Sequence, residues 1–215
     1  MSANRSCPVP GRRRVLAGGA ALLAAAATGS AWAALPATPR QTEGPFYPTR
    51  LPLDVDNDLV RVTGSAAEAQ GIVTHVAGRI LGADGRPLAG ARVEIWQCDA
   101  RGIYLHPGSG DQSRRDGGFQ GFGATLTDAD GLYRFRTIRP VPYSGRTPHI
   151  HYAVVAPGRP RFVTQMYVAG EPGNERDVLL RRMDPAERAR LLVALAPAAE
   201  IEAGALAGRF DIVIG

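Results

Sequence analysis

Cysteine is nearly absent from this chain. The 215 residues hold only Cys7 and Cys98, and Cys7 lies in the N-terminal segment. A body with a single cysteine forms no internal disulfide and no thiolate zinc cage. Lysine is missing altogether, so all 25 basic residues are arginine. Histidine is limited to His75, His106, His149 and His151, without an H-E-x-x-H arrangement, and no G-x-S-x-G elbow occurs. Zinc and serine hydrolases therefore lack their usual signatures. No internal repeat and no alternating strand–helix rhythm appears, which argues against solenoids and parallel α/β folds.

The basic balance is also weaker than it looks. The formal net charge is +5 and the pI about 9.8. Residues 1–33 carry four arginines (Arg5, Arg12, Arg13, Arg14) and no acid, leaving 25 − 4 = 21 arginines against 20 acids. A near-neutral body gives no electrostatic footprint for nucleic acid. The segment "GRRRVLAGGAALLAAAATGSAWA" has a basic front, an apolar middle and an A-x-A end at Ala31-Trp32-Ala33. It reads as an export signal cleaved after Ala33, of twin-arginine type at Arg12-Arg13. The apolar stretch is short and rich in Ala and Gly, so no lasting membrane span is expected. The expected location is exported, periplasmic or extracellular. An exported body without a disulfide must rest on its core or on a metal.

What the chain does have is 26 glycines and 17 prolines, a composition of many turns and short strands. Residues 34–65 are Pro-rich and irregular and read as an N-terminal arm. Within it "LDVDND" (53–58) imitates a calcium loop. The required Gly and Glu are replaced by Leu59 and Ser65, so a solvated loop is expected. From residue 71 the apolar period is two. "IVTHVAGRIL" and "ARVEIWQCDA" flank a Gly/Pro turn cluster and read as adjacent strands. "GATLTDADGLYRFRTI" repeats strand, turn, strand; "HIHYAVVA", "RFVTQMYV" and "RFDIVI" complete the set. One short C-terminal helix is signalled by Asp184 as N-cap, Pro185 and Glu187, before "RARLLVAL". The reading is mainly β: an antiparallel β-sandwich over 66–215.

The chemistry concentrates in "RTPHIHYAVV" (146–155). Residues two apart on a strand share a face, so His149 and His151 project together while Ile150 turns to the core. An isolated H-x-H in a strand is more often structural than ligating. Tyr143 lies in a Gly-bearing loop six residues before His149, and Tyr104 follows the strand of Trp96. Strand-end loops are where functional residues collect on such folds. His75 and His106 read as structural or surface residues, with His106 near the mouth of any site around Tyr104. Cys98 reads as a small buried hydrophobe rather than a nucleophile.

The stretches "TEGPFYP", "GRILGADGRPLAGARVEIWQCDARGIYLH", "TDADGLYRFRTIRPVPYSGRTPHIHY", "TQMY" and "FDIVI" resemble the intradiol ring-cleavage dioxygenases, the catechol and protocatechuate 3,4-dioxygenase family. The resemblance implies a prealbumin-like sandwich with one non-haem Fe(III) per chain, held by Tyr104, Tyr143, His149 and His151. It makes Arg146 the active-site arginine, Gln165 the pocket glutamine and Tyr143 the ligand displaced by substrate. The implied reaction cleaves a catechol-type ring between its hydroxyls with O2 to a cis,cis-muconate-type diacid. Phenolate oxygens suit a hard ferric ion. The loop between Tyr143 and His149 holds only five residues, shorter than in protocatechuate-type chains, and implies a more open pocket roof. Which catechol is used stays open, as does a homo-oligomer. The competing readings are a non-enzymatic transthyretin-like module and a copper or zinc H-x-H protein; neither uses the two tyrosines.

Overall fold

The computed structural model describes Met1 and residues 34–215; the export-signal reading falls on residues outside the described ones. Residues 34–65 contain no strand. Ten strands then follow: β1 Val73–Gly82, β2 Arg92–Trp96, β3 Phe122–Leu126, β4 Leu132–Ile138, β5 His149–Val155, β6 Phe162–Val168, β7 Leu192–Val193, β8 Ala196–Pro197, β9 Leu206–Arg209 and β10 Ile212–Ile214. Among the described residues one short α-helix, α1, spans Pro185–Ala189. Among the described residues no helix is long and apolar enough to cross a membrane.

The strands form two five-stranded sheets. In the first, β4 pairs antiparallel with one edge of β1, while β9 and β10 pair parallel with it along the other. In the second, the order is β3-β2-β5-β6-β7, antiparallel except for the parallel β6–β7 pair. The sheets are thus mixed, which corrects the expectation of a purely antiparallel sandwich. In the first sheet the parallel partners come from the C-terminal tail, which returns to β1 across more than a hundred residues, and strand alternation carries no signal for such distant pairing.

Two further expectations are corrected. β1 and β2 do not pair, although they flank one turn cluster. β1 belongs to the first sheet and β2 to the second, where it lies between β3 and β5. "TDADG" likewise joins β3 of one sheet to β4 of the other. Both Gly-rich clusters are corners that carry the chain between layers. The alternation within each strand looks the same whether its neighbour is the next strand or a distant one.

The core lies between the layers. Val76, Ile80, Tyr133, Phe135 and Ile212 of the first sheet meet Val93, Ile95, Ile150, Tyr152, Val154 and Met166 of the second, each at most 2% exposed. Burying each such side chain stabilises by roughly 1.5–3 kcal/mol, enough in sum to replace a disulfide. Leu59 and Val60 of the loop before β1 are also in this core. In "LDVDND" the side chain of Asp54 accepts from Thr63 N–H, Asp56 from Asp58 N–H, and Asp58 from Val60 N–H and Arg136. These acids serve turn geometry and an ion pair, as expected of a loop.

The helix starts where expected: Asp184 accepts from the N–H groups of Ala186 and Glu187. It ends after Ala189, whereas "RARLLVAL" suggested a longer run. Leu192 and Val193 instead form β7 on the edge of β6. A helix this short is marginal on its own, so pairing with an open sheet edge prevails.

Candidate metal centre

β5 sets the site by its period of two. Ile150 and Tyr152 enter the inter-sheet core, while His149 and His151 face the opposite side of the sheet. That side is closed by a second cluster: Trp96, Cys98, Tyr104, Phe122, Ala124 and Ala153, with Phe46, Tyr47, Val55 and Tyr143 packed against it. The arm supplies much of the cover. Gln41 N–H donates to the Val163 carbonyl at 3.0 Å, and Tyr47 donates to the buried Glu94 at 3.0 Å. Phe46 stacks on Tyr104 with centroids 5.1 Å apart. Gly44 has φ +72, and a Cβ there would sit 3.3 Å from His151 Cε1. Only glycine gives both that backbone and that closeness.

Four rings converge. Tyr104 Oη lies 3.4 Å from His149 Nε2. Ring centroids are 5.0 Å apart for Tyr104–Tyr143, 5.5 Å for Tyr143–His149, 4.9 Å for His149–His151 and 5.9 Å for Tyr104–His151. Trp96 stacks flat on His151 at 4.9 Å, interplanar angle 10°. Tyr104, His149 and His151 are all at most 2% exposed. Tyr143 is half-buried at the start of a tight turn in which Tyr143 and Arg146 exchange backbone hydrogen bonds. The two central residues, Ser144 and Gly145, have φ of +44 and +78. Glycine adopts that conformation freely; serine does so under strain of the kind found at functional turns.

The donor set fits a hard cation. The Thr147 carbonyl is 2.6 Å from His149 Nδ1. A carbonyl only accepts, so Nδ1 carries the hydrogen and Nε2 presents its lone pair toward Tyr104, an arrangement typical of metal-bound imidazoles. Burial, and then the Arg146 charge, pull the His149 pKa down to about 4. Burial, His149 and Arg146 hold His151 well below its usual range. Both imidazoles are therefore neutral and able to ligate. His151 Nδ1 is buried with no hydrogen-bond partner. Burial pushes the Tyr104 phenol well above its ordinary pKa, and a bound cation reverses that preference. Among the described residues no group of three His, Cys, Asp or Glu could hold a metal, so the two histidines need the two phenols to complete a site.

Arg146 lies beside this cluster. Its Nε donates to Asp177 at 2.8 Å and its NH2 group to Gln165 Oε1 at 2.8 Å and Tyr167 Oη at 3.1 Å. Gln165 is fully buried under the arm, its amide donating to the Thr42 carbonyl at 2.9 Å. All six residues singled out from sequence thus share one neighbourhood. His106 does not line the cleft beside Tyr143 and Arg146: its ring lies 5.6 Å from that of Phe46, its Nδ1 accepts from Gly108 N–H, and it borders a separate hollow with Leu51 and Leu53. His75 lies in the other sheet, where it meets Glu202 at 3.0 Å. Cys98 is 1% exposed, and burial pushes its thiol up to about 12, so it is inert at neutral pH. Asp177, Tyr167, Gly44 and Phe46 are the neighbours that the sequence reading did not single out.

The comparisons agree with this geometry. The dioxygenase family model matches residues 42–215. The chain is 33% identical over 183 residues to the protocatechuate 3,4-dioxygenase beta chain of Burkholderia cepacia, covering 81% of this chain and 78% of that one. It is 35% identical over 154 residues to a catechol 1,2-dioxygenase of Acinetobacter baylyi, covering 63% of this chain but 48% of the longer relative. Among solved structures, it resembles the dioxygenase domain of a dioxygenase–carbohydrate-binding fusion from Streptomyces sp. SirexAA-E, with TM-score 0.63, 35% identity, and coverage of 83% of this chain and 98% of that domain. A family match that takes in the arm from residue 42, both tyrosines and the H-x-H strand leaves one assignment: the chain belongs to the intradiol ring-cleavage dioxygenase family.

Proposed function

We propose that the protein cleaves catechol-type rings between two adjacent hydroxyls with O2, using one ferric ion held by Tyr104, Tyr143, His149 and His151. The observation that carries this is the convergence of two phenols and two neutral imidazoles beside a braced arginine. A ferric ion held there would supply the electron-withdrawing centre that makes a ring carbon of a chelating catecholate reactive toward O2.

The remaining roles belong to the side chains. Tyr104 is buried and locked by Phe46, whereas Tyr143 is half-exposed on a strained turn. Tyr143 is therefore the phenol able to move aside and take up a substrate proton. Arg146 holds a fixed positive charge beside the ring as it becomes electron-rich. A cleft of about 440 Å³, lined among others by Tyr143, Arg146, Pro172, Gly173 and Arg176, opens at this point and admits a small aromatic ring. The arm and Trp96 exclude water from the far side. The protein should carry about one iron per chain. It should convert catechol to a muconate-type diacid containing both atoms of labelled O2. A yellow semialdehyde product, or no ring cleavage by iron-loaded protein, would refute the reading.

We also propose that residues 1–33 export the protein by the twin-arginine route, on the strength of Arg12-Arg13 and the A-x-A end. That route carries folded proteins and suits one that must close around a metal. Changing Arg12 and Arg13 together to Lys should retain the full-length chain in the cytoplasm; unchanged export would point to general secretion.

A further inference from the structure

We infer that Asp177 is a positioning residue that sets the orientation of both Arg146 and the His149 ring. This rests on the reading of His149 as a ligand. Asp177 is 0% exposed, and its carboxylate is saturated with donors. Oδ2 accepts from Arg146 Nε at 2.8 Å and from Thr147 N–H at 3.1 Å. Oδ1 accepts from the N–H groups of Leu179 and Leu180 at 3.0 and 3.3 Å. The same oxygen that holds the guanidinium thus also holds the backbone one residue further on.

Thr147 passes the constraint to His149. Its N–H is held by Asp177, its hydroxyl donates to Asn174 at 2.8 Å, and Pro148 follows it. With both ends restricted, its carbonyl is fixed toward His149 Nδ1. That bond selects the tautomer in which Nε2 is free of hydrogen. An amide at position 177 cannot reproduce this. One of its two heads is an NH2 group, which would face either the Arg146–Thr147 donors or the Leu179–Leu180 donors.

The test is ¹⁵N imidazole NMR on the metal-free full chain, with iron affinity as a second readout. In the wild-type protein His149 should be in the Nδ1–H tautomer. Asp177→Asn should populate both tautomers and bind iron about tenfold or more weakly. Thr137→Val removes a buried hydrogen bond, to Gln97 at 2.9 Å, that lies outside this relay, and should lower stability while the tautomer stays. If Asp177→Asn does not fold, Asp177→Glu keeps the charge but misplaces it, and should mix the tautomers as well. A folded variant at 177 with His149 still wholly Nδ1–H and unchanged iron affinity would overturn the inference. Failure of the wild-type protein to bind iron would sink the metal reading, while the tautomer comparison would still decide the role of Asp177.

Discussion

Tyr104→Phe is expected to fold normally and lose its function. Its ring packs on Phe46 and against Tyr143, and phenylalanine keeps both contacts. The backbone of residue 104 stays tied to Ser109 and Gln112. The hydroxyl being removed is buried, 3.4 Å from His149 Nε2 and within hydrogen-bonding reach of the Tyr143 hydroxyl, and the loss of such weak contacts should change stability by about 1 kcal/mol. Its loss as the proposed metal donor is another matter. Even residues behind a ligand cost about 10- to 100-fold when removed, and a ligand itself should cost at least that. The expected result is an unchanged melting temperature, reduced iron content, a weakened or absent tyrosinate-to-iron charge-transfer band, and turnover down a hundredfold or more. A coloured Tyr104→Phe protein with full turnover would remove Tyr104 from the site.

Arg146→Ala should separate reaction from binding. In the proposed reaction the charge that Arg146 faces grows on the ring, so its loss should fall mainly on turnover. Removing one such stabiliser costs about 3 kcal/mol, roughly a hundredfold in kcat, with KM changed less. The structure adds a second effect. Burial pushes the Asp177 carboxyl up, but the Arg146 guanidinium and the N–H donors outweigh it and hold it below the usual range. A carboxylate held low stabilises the fold above the ordinary carboxylate range, and that contribution is lost as pH falls through its folded value. Without Arg146 the folded value rises. The variant should therefore be less stable at neutral pH and unfold at a higher pH on acidification than the wild-type protein. Steady-state kinetics and acid titration check the two halves separately. Unchanged kcat would remove Arg146 from the reaction, and an unchanged acid midpoint would remove the Asp177 pair.

The site was legible where it is local in sequence. Tyr143, Arg146, His149 and His151 fall within nine residues, and strand alternation alone places both histidines on one face. Asp177 was not legible. It lies 31 residues beyond Arg146, in "GNERDVLLRR", a run whose charges look like a solvated surface. Only the folded chain shows that one of them is buried. The strands themselves were readable from their period, but their partners were not, because β1 and β2 read alike whether or not they pair. The helix after Asp184 illustrates the same limit: the cap is a local signal and was right, while the far end was decided by the open edge of β6. The arm could be seen as irregular, but not that Leu59 enters the core or that Gly44 lies against His151.

The two faces of β5 do unlike work: Ile150 and Tyr152 hold the layers together, and His149 and His151 face the proposed metal site. A slip of one residue in this strand exchanges them. The imidazoles would enter a dry core without partners, and Ile150 would face two phenols. No single-residue deletion or insertion between His149 and Tyr152 should then be neutral, whatever residue is involved. Folding and catalysis would fail in the same event. At Gly158, between β5 and β6, a change of length alters neither face. Length, apart from composition, is thus what natural variation must conserve in this segment.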